Sequence, residues 1–542
     1  MGAKGEGSMP VAFLRGQISP LAYRSTLIRR LAVWSAPALV AASLATAPSP
    51  AAAQAKVQAN TVTIDVAGSS LAGITTSPLS LTPAFDPTIT DYVLRCQAGT
   101  NTIHATLVAA GGTIRSLGIR GASVDVQENL VENEALVIAA RAPRSRVDNQ
   151  QGQAGSQDEN GRTQYWIRCL PHDFPQLTVS KPGTPPPGWY LTGNENSVAG
   201  SGTYAMVLDN NGTPVWYRKP AGDGAINVTL LPDGTIAWKS NAGPGFEDYN
   251  LKTQTTRWLV APVPPTDLHE LHALSNGNLM MLSYQLRSNF DLSALGLSST
   301  ATIIDCVVEE MDRHGQLVWQ WRASDHISAD ESAHPSQTLA QGAVVYDIYH
   351  CNSVDVDPAS GNVLLSSRHT DAIYLINKRS GLVISKMGGT SPNHDNSLII
   401  RVMGDPQGTF HAQHDARFQP NGDVSLYDDQ TWDSSLVARG VEYHIDVAAR
   451  TATLVWAYQS PDSRNSAATG SFRMLNAGND NVVGWGFKPN ALLTEVDGSG
   501  TVMLTVAFPS GEEAYRAIKV PTSAFDHRLL RATAGLPRFV LP

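Results

Sequence analysis

At 542 residues the chain is longer than one typical domain, and two to three domains, one of them large with a sizeable core, are expected. The formal net charge of -9 is spread along the sequence with no basic block to track a phosphate backbone or an anionic bilayer, which argues against nucleic acid as a partner. Charged residues make up only 16%, while 45 Gly and 33 Pro call for many short turns rather than long surface helices, so an all-β fold is expected.

The N-terminus reads as an address. Arg29-Arg30 precede an apolar stretch from Leu31 to Leu44, and small residues follow as far as Ala53-Gln54-Ala55, so residues 1–55 are expected to be a leader removed on export. The twin arginine is either a Tat-type feature or chance, and the long stretch before the apolar run leaves a misassigned start codon open. No later stretch reaches about 18 uninterrupted apolar residues, so a soluble mature protein, periplasmic or extracellular, is expected. Four cysteines fit that compartment. Tyr92-Val93-Leu94-Arg95-Cys96 and Tyr165-Trp166-Ile167-Arg168-Cys169 are matching contexts, and Cys96 is expected to bond to Cys169. For Cys306 and Cys351 a second bridge and two buried thiols stay equally open. Oligomeric state has no signal in the sequence.

Residues 56–172 show short β-prone segments, alternating in Thr61-Val62-Thr63-Ile64-Asp65-Val66 and continuously apolar in Ala135-Leu136-Val137-Ile138, separated by Gly/Asn/Ser turns. A small β-sandwich is expected here, and Leu81-Thr82-Pro83-Ala84-Phe85-Asp86-Pro87, with Thr90 and Tyr92 after it, resembles the cadherin-like module of secreted proteins. The Gln/Asn/Gly/Ser-rich stretch from Arg144 to Arg162 reads as a loop insertion. Residues 173–188, ending in Lys181-Pro182-Gly183-Thr184-Pro185-Pro186-Pro187-Gly188, read as a Pro-rich linker.

From Trp189 to the end the sequence repeats loosely. Asp209-Asn210-Asn211-Gly212 leads to Val215-Trp216, and Asp312-Arg313-His314-Gly315 leads to Val318-Trp319, with the same offset from Asp to Trp. Degenerate copies follow at Lys378–Gly381 and from Asp446 to Val455-Trp456. Hairpin turns interleave with them at Pro232-Asp233-Gly234, Asn276-Gly277-Asn278, Ser360-Gly361-Asn362, Asn421-Gly422-Asp423 and Ala477-Gly478-Asn479. Such units predict four-stranded blades whose radial closure removes most free sheet edges. About 340 residues at roughly 40 to 60 per blade allow six or seven blades, and six are expected over residues 189–542. A large sandwich or a β-helix is the competing architecture.

Three histidine-bearing segments fall near strand starts in different repeats. They are Asp267-Leu268-His269-Glu270-Leu271, Asp347-Ile348-Tyr349-His350-Cys351-Asn352-Ser353 with the following Ser366-Ser367-Arg368-His369, and Phe410-His411-Ala412-Gln413-His414-Asp415-Ala416-Arg417. The innermost strand of every propeller blade lines the axial channel, so His269, His350, Arg368 and His414 are expected to converge as catalytic residues. A single histidine is more often a hydrogen-bonded core or surface imidazole, but recurrence in equivalent places is poorly explained by packing. His272, His369 and His411 are read as supporting neighbours. His104, His172, His314, His326, His334, His394, His444 and His527 are read as structural.

Together, Asp267-x-His269-Glu270, Asp347-x-x-His350-x-Asn352-Ser353, Ser366-Ser367-Arg368-His369, Gln413-His414-Asp415-Ala416-Arg417, and Gly470-Ser471 followed by Gly484-Trp485-Gly486 and Thr494-Glu495 resemble the arylsulfotransferase family, in order, over roughly Gly188 to Lys519. The resemblance implies a six-bladed propeller that moves a sulfuryl group from a phenolic sulfate ester to another phenol, with neither a nucleotide sulfate donor nor a metal. It also implies that His414 is the transient sulfuryl carrier. No Gly-x-x-x-x-Gly-Lys-Ser/Thr loop, HExxH or CxxC pair occurs, so no cofactor and no metal are expected.

On chemistry alone, a neutral His414 is nucleophilic enough to attack sulfur, Arg368 suits two sulfuryl oxygens, and His269 and His350 suit hydrogen bonding or proton shuttling, in either assignment. Asn352, Asp415, His411 and Arg417 complete the expected substrate-binding set, with Asp415 or Asn352 as candidates to orient an imidazole. Ile348 and Cys351 depart from the family's usual residues, which bears on substrate fit. The competing functions are a non-catalytic extracellular propeller that binds a sulfated or phenolic ligand or a surface polymer, and a quinoprotein or lactonase, whose docking repeats or Glu/Asn/Asp set are not evident.

Overall fold

The computed structural model describes residues 61–116, 118–141, 157, 160–195, 198–340, 342–390 and 394–536. The leader expected over 1–55 lies outside the described residues, as does most of the insertion expected from Arg144 to Arg162. Among the described residues the fold is all-β, with one α-helix, His527–Thr533. No helix there is long and apolar enough to cross a membrane.

The N-terminal part is two facing sheets. One orders Thr61–Asp65, Ala135–Arg141, Arg162–Leu170 and Asp91–Arg95, and the other Leu71–Ser77, Asn101–Ala109 and Ser123–Leu130. Strand alternation puts Ile103, Ala105 and Leu107 inward, where they meet Ile64, Leu94, Leu136, Ile138 and Ile167. The expected Cys96–Cys169 bond is present, with its Cα atoms 5.5 Å apart. The pairings of Thr61–Asp65 with Ala135–Arg141 and of Asp91–Arg95 with Arg162–Leu170 are parallel.

The remainder is built from antiparallel sets of four strands. In chain order, the complete sets begin at Ile226–Leu230, Thr266–Ala273, Cys351–Val356, His414–Phe418 and Ser471–Leu475. One further set joins Trp189–Gly193, Ala205–Leu208 and Pro214–Arg218 to Ala517–Val520 near the other end of the chain. Neighbouring sets touch through their first strands in turn, and Ser471–Leu475 meets Ala517–Val520, so the sets close on themselves as a β-propeller. A parallel strand, Leu398–Met403, bridges the outer edges of the sets that begin at Cys351 and His414.

The repeated Asp-x-x-Gly turn has a local cause. Asp312 Oδ1 accepts the N–H groups of His314 and Gln316 at 2.8 Å, and Gly315 takes the left-handed φ of 80° that closes the turn. The tryptophan that follows ties neighbouring sets together. Trp319 Nε1 donates to Lys378 O at 2.9 Å, and Trp456 Nε1 to Gly498 O at 3.1 Å.

The C-terminal helix returns to the sandwich. Arg531 Nε and Nη2 each reach Asp91 at 2.8 Å, His527 Nε2 lies 2.9 Å from the same carboxylate, and all three residues are buried.

Candidate active site

His269, His350 and His414 all sit on or beside the first strands of consecutive sets, and Arg368 follows the strand Val363–Ser367. The backbone is bent there. His350, Asp371, Ala412 and Asp415 have φ between 50° and 57°, a conformation that non-glycine residues adopt only where surroundings impose it. Such outliers gather at sites that present side chains.

The rings converge. His269 and His350 lie 4.9 Å apart edge to face, and His350 and His369 4.6 Å apart. Each candidate imidazole rests its Nδ1 on a carboxylate: His269 on Asp267 at 2.7 Å, His350 on Asp347 at 2.5 Å and His414 on Asp429 at 2.7 Å. This common arrangement directs the other ring nitrogen, Nε2, away from the protein partner. Arg368 donates from Nη2 to Ala467 O at 3.0 Å and places Nη1 3.1 Å from His369 Nε2. Its Nε is buried and has no hydrogen-bond acceptor among the described residues.

Burial sets the protonation states. It presses His414 well below the usual imidazole range, with Arg368, His269 and His350 adding to the effect. Burial raises the Asp429 carboxyl well above its range against the pull of Arg368. His350 is lowered by burial although Asp347 opposes the shift, and His369 is pushed down to about 3 by burial and by His350. Burial would raise Asp347, but His350, His369 and His269 hold it down at about 2. His350, His369 and His414 are thus favoured as neutral imidazoles beside one guanidinium.

The other expected residues are placed differently. Asn352 is buried, donates Nδ2 to Gln413 O at 2.7 Å and leaves Oδ1 without a hydrogen-bond partner among the described residues. Asp415 and Arg417 are engaged with each other at 2.8 Å. Arg417 also reaches Glu270 at 2.6 Å and Val354 O at 2.7 Å, while Asp415 accepts Arg473 at 2.7 Å. Arg516 completes this buried charge network on Glu270 at 3.0 Å. His411 is half-buried on Asp371 at 3.1 Å, a contact that raises its proton affinity. The carboxylate on His414 is thus Asp429 rather than its chain neighbour Asp415.

Sequence reasoning missed Asp429 as a partner of His414, together with Tyr284, Tyr515 and Trp432. His269 stacks on Tyr284 at 5.4 Å and meets Tyr515 edge to face at 5.7 Å. His334, read as structural, belongs to the rim of the site, where it stacks on Trp432 at 4.1 Å. The available signal was the acidic pair Asp428-Asp429 at the end of the strand that pairs with His414. Cys306 and Cys351, left open above, form a disulfide with Cα atoms 6.1 Å apart, beside His350.

The family profile of arylsulfotransferase (ASST) matches residues 181–516. The chain belongs to the arylsulfotransferase family. The matched stretch of this arylsulfotransferase-family chain spans all four converging residues and stops immediately before the closing strand Ala517–Val520. A search of curated proteins finds no match. Among solved structures, TolB from Acinetobacter baumannii is 11% identical with a TM-score of 0.41, over 83% of this chain and 83% of the other. A protein of unknown function from Bacteroides caccae is 12% identical with a TM-score of 0.38, over 62% of this chain and 99% of the other. Resemblance at that level carries no functional argument.

Proposed function

We propose that the chain is an aryl sulfate sulfotransferase that works by a ping-pong cycle through a sulfurylated His414. The reading rests on one observation above the others: three carboxylate-held imidazoles gather with a guanidinium that has no ion-paired carboxylate among the described residues. An oxyanion supplies the missing counter-charge.

In the donor half-reaction the Nε2 lone pair of His414 attacks sulfur, the S–O bond to the aryl oxygen breaks, and its electron pair leaves with the phenoxide. Arg368 stabilises negative charge spread over the sulfuryl oxygens, an electrostatic role of the kind that dominates phosphoryl transfer. Asp429 accepts from Nδ1–H and so keeps the Nε2 lone pair free and aimed at sulfur. His269 or His350 serves the phenol oxygens, taking the proton of the acceptor phenol in one half-reaction and returning it to the leaving phenoxide in the next. The acceptor oxygen attacks sulfur, the N–S bond breaks, and neutral His414 is restored. Asn352, Asp415, His411 and Arg417 shape the substrate pocket and its supporting network.

In this reading residues 56–172 are the sandwich, 173–188 the linker and 189–542 a six-bladed catalytic propeller, exported behind a leader over 1–55. The test mixes the purified protein with a chromogenic aryl sulfate, with and without an added phenol, alongside His414→Ala. Acceptor-stimulated phenol release that disappears in the variant, with one SO₃ group found on a His414 peptide, supports the cycle. Absence of release from several aryl sulfates by folded wild-type protein overturns it and leaves a ligand-binding propeller.

A further inference from the structure

Trp432 is a large aromatic side chain with 40% of its surface exposed, in the turn that follows Asp429. The Arg368 guanidinium carbon lies 4.5 Å from the Trp432 ring centroid, within cation–π range. The His334 ring stacks on the indole at 4.1 Å and 22°. The indole Nε1–H donates to Asp371 Oδ1 at 3.2 Å. Asp371 in turn receives the Ala412 N–H at 2.7 Å and His334 Nε2 at 2.8 Å. The indole is therefore fixed by its edge and by its stacking neighbour.

Resting on the sulfuryl-transfer reading, we infer that Trp432 is a positioning residue for Arg368: a clamped aromatic platform that holds the guanidinium toward the sulfuryl oxygens. Arg368 needs such help. Apart from its contacts with His369 and Ala467 O, the side chain has no carboxylate within ion-pairing distance among the described residues, and Asp429, Asp347 and Asp371 act on it only from farther away. A carboxylate there would fix the guanidinium but would also cancel the charge offered to an oxyanion. An aromatic face orients the group and leaves its N–H donors available. The same turn carries Asp429, so the carboxylate behind the nucleophile and the platform behind the oxyanion donor move as one piece.

The test is a double-mutant cycle on the full chain, with Trp432→Ala, Trp432→Phe, Arg368→Ala and the Trp432→Ala/Arg368→Ala pair. Two readouts are taken: donor half-reaction rate with 4-nitrophenyl sulfate, and binding of 4-nitrobenzenesulfonate, which has the oxyanion but no transferable ester. Trp432→Ala is expected to weaken both by about 10-fold in the presence of Arg368, the order of a desolvated cation–π contact, and to have little effect once Arg368 is gone. Trp432→Phe, which keeps the face and loses the Nε1–H, is expected to recover most of the loss. Equal losses from Trp432→Ala with and without Arg368 overturn the inference and make Trp432 a direct aryl contact or a packing residue. Sulfonate binding without turnover in wild-type protein sinks the transferase reading while the cycle still decides the role of Trp432. Absence of sulfonate binding in wild type overturns both.

Discussion

His414 Nδ1, at the start of one strand, and Asp429 Oδ2, just past the end of its antiparallel partner, lie 2.7 Å apart, and solvent reaches neither side chain appreciably. Burial drives this pair toward neutrality from both sides, lowering the imidazole and raising the carboxyl. The His414 ring is held by its Nδ1 contact without being charged. Asp429→Ala is expected to slow the single-turnover release of phenol by about 100-fold, as for removal of a group that orients a catalytic histidine. Asp429→Asn, which still accepts from Nδ1–H, should lose less; equal losses would deny the orienting role.

Because the His414 shift is downward, the ring stays neutral as the pH falls through the ordinary imidazole range. The burst of phenol release is expected to hold its rate from about pH 8 to about pH 6, where an unperturbed histidine of pKa near 6.5 would already be about three-quarters protonated. Stopped-flow measurement across that range checks it.

Stability follows the same sign. His369 titrates near 6.5 when unfolded and is pushed down to about 3 when folded. The unfolded chain thus binds the extra proton, and the contribution is intact above about pH 6.5 and is lost progressively as the pH falls toward 3. The unfolding free energy should decline in that window, by up to about 1.4 kcal/mol per pH unit for such a group. Denaturant titrations of wild type and His369→Gln at pH 7 and pH 5 should show a smaller decline in the variant.

His269 and His350 share Tyr284 but differ in their other neighbours, since His269 meets Tyr515 while His350 meets His369. Replacing the one that protonates the leaving oxygen by Ala should cost about 100-fold or more with a poorly leaving phenol and much less with 4-nitrophenol. A leaving-group series on both variants separates shuttle from hydrogen-bond donor: the variant whose loss is the same for every phenol is the donor.

Asp91 is the anchor between sandwich and C-terminal helix, buried with Arg531 and His527, which hold its carboxyl below the usual range against burial. Asp91→Ala strands a buried guanidinium and is expected to cost about 3–5 kcal/mol, read by chemical denaturation. In wild type this contribution is complete above about pH 4 and declines below it.

Much of the fold was legible because its cues are local. Asp209 and Asp312 turns, Gly at positive φ and the following Trp encode each hairpin within a few residues, and the histidine segments lie at strand starts where a propeller presents side chains inward. The rest depends on pairings across strands. Asp429 meets His414 only because Val424–Asp428 pairs with His414–Phe418, and Trp432 meets Arg368 from a different set. The motif residues Asp415 and Arg417 looked like substrate ligands in the sequence, yet their charges are matched by Glu270, Arg473 and Arg516. Neither parallel pairing in the sandwich has a sequence period of its own.

Closure of the wheel by Ala517–Val520 means that Trp189–Gly193 depends on a segment more than 300 residues away for half of its hydrogen-bonding edge. A fragment trimmed to the family boundary at 516 would leave Trp-Tyr-Leu-Thr-Gly as a naked apolar edge, a template for pairing with other chains. Such a fragment is expected to aggregate rather than fold. During synthesis too, the ring stays unzipped until its last strand has been made, so the protein gains its barrier against edge-to-edge association only at the end.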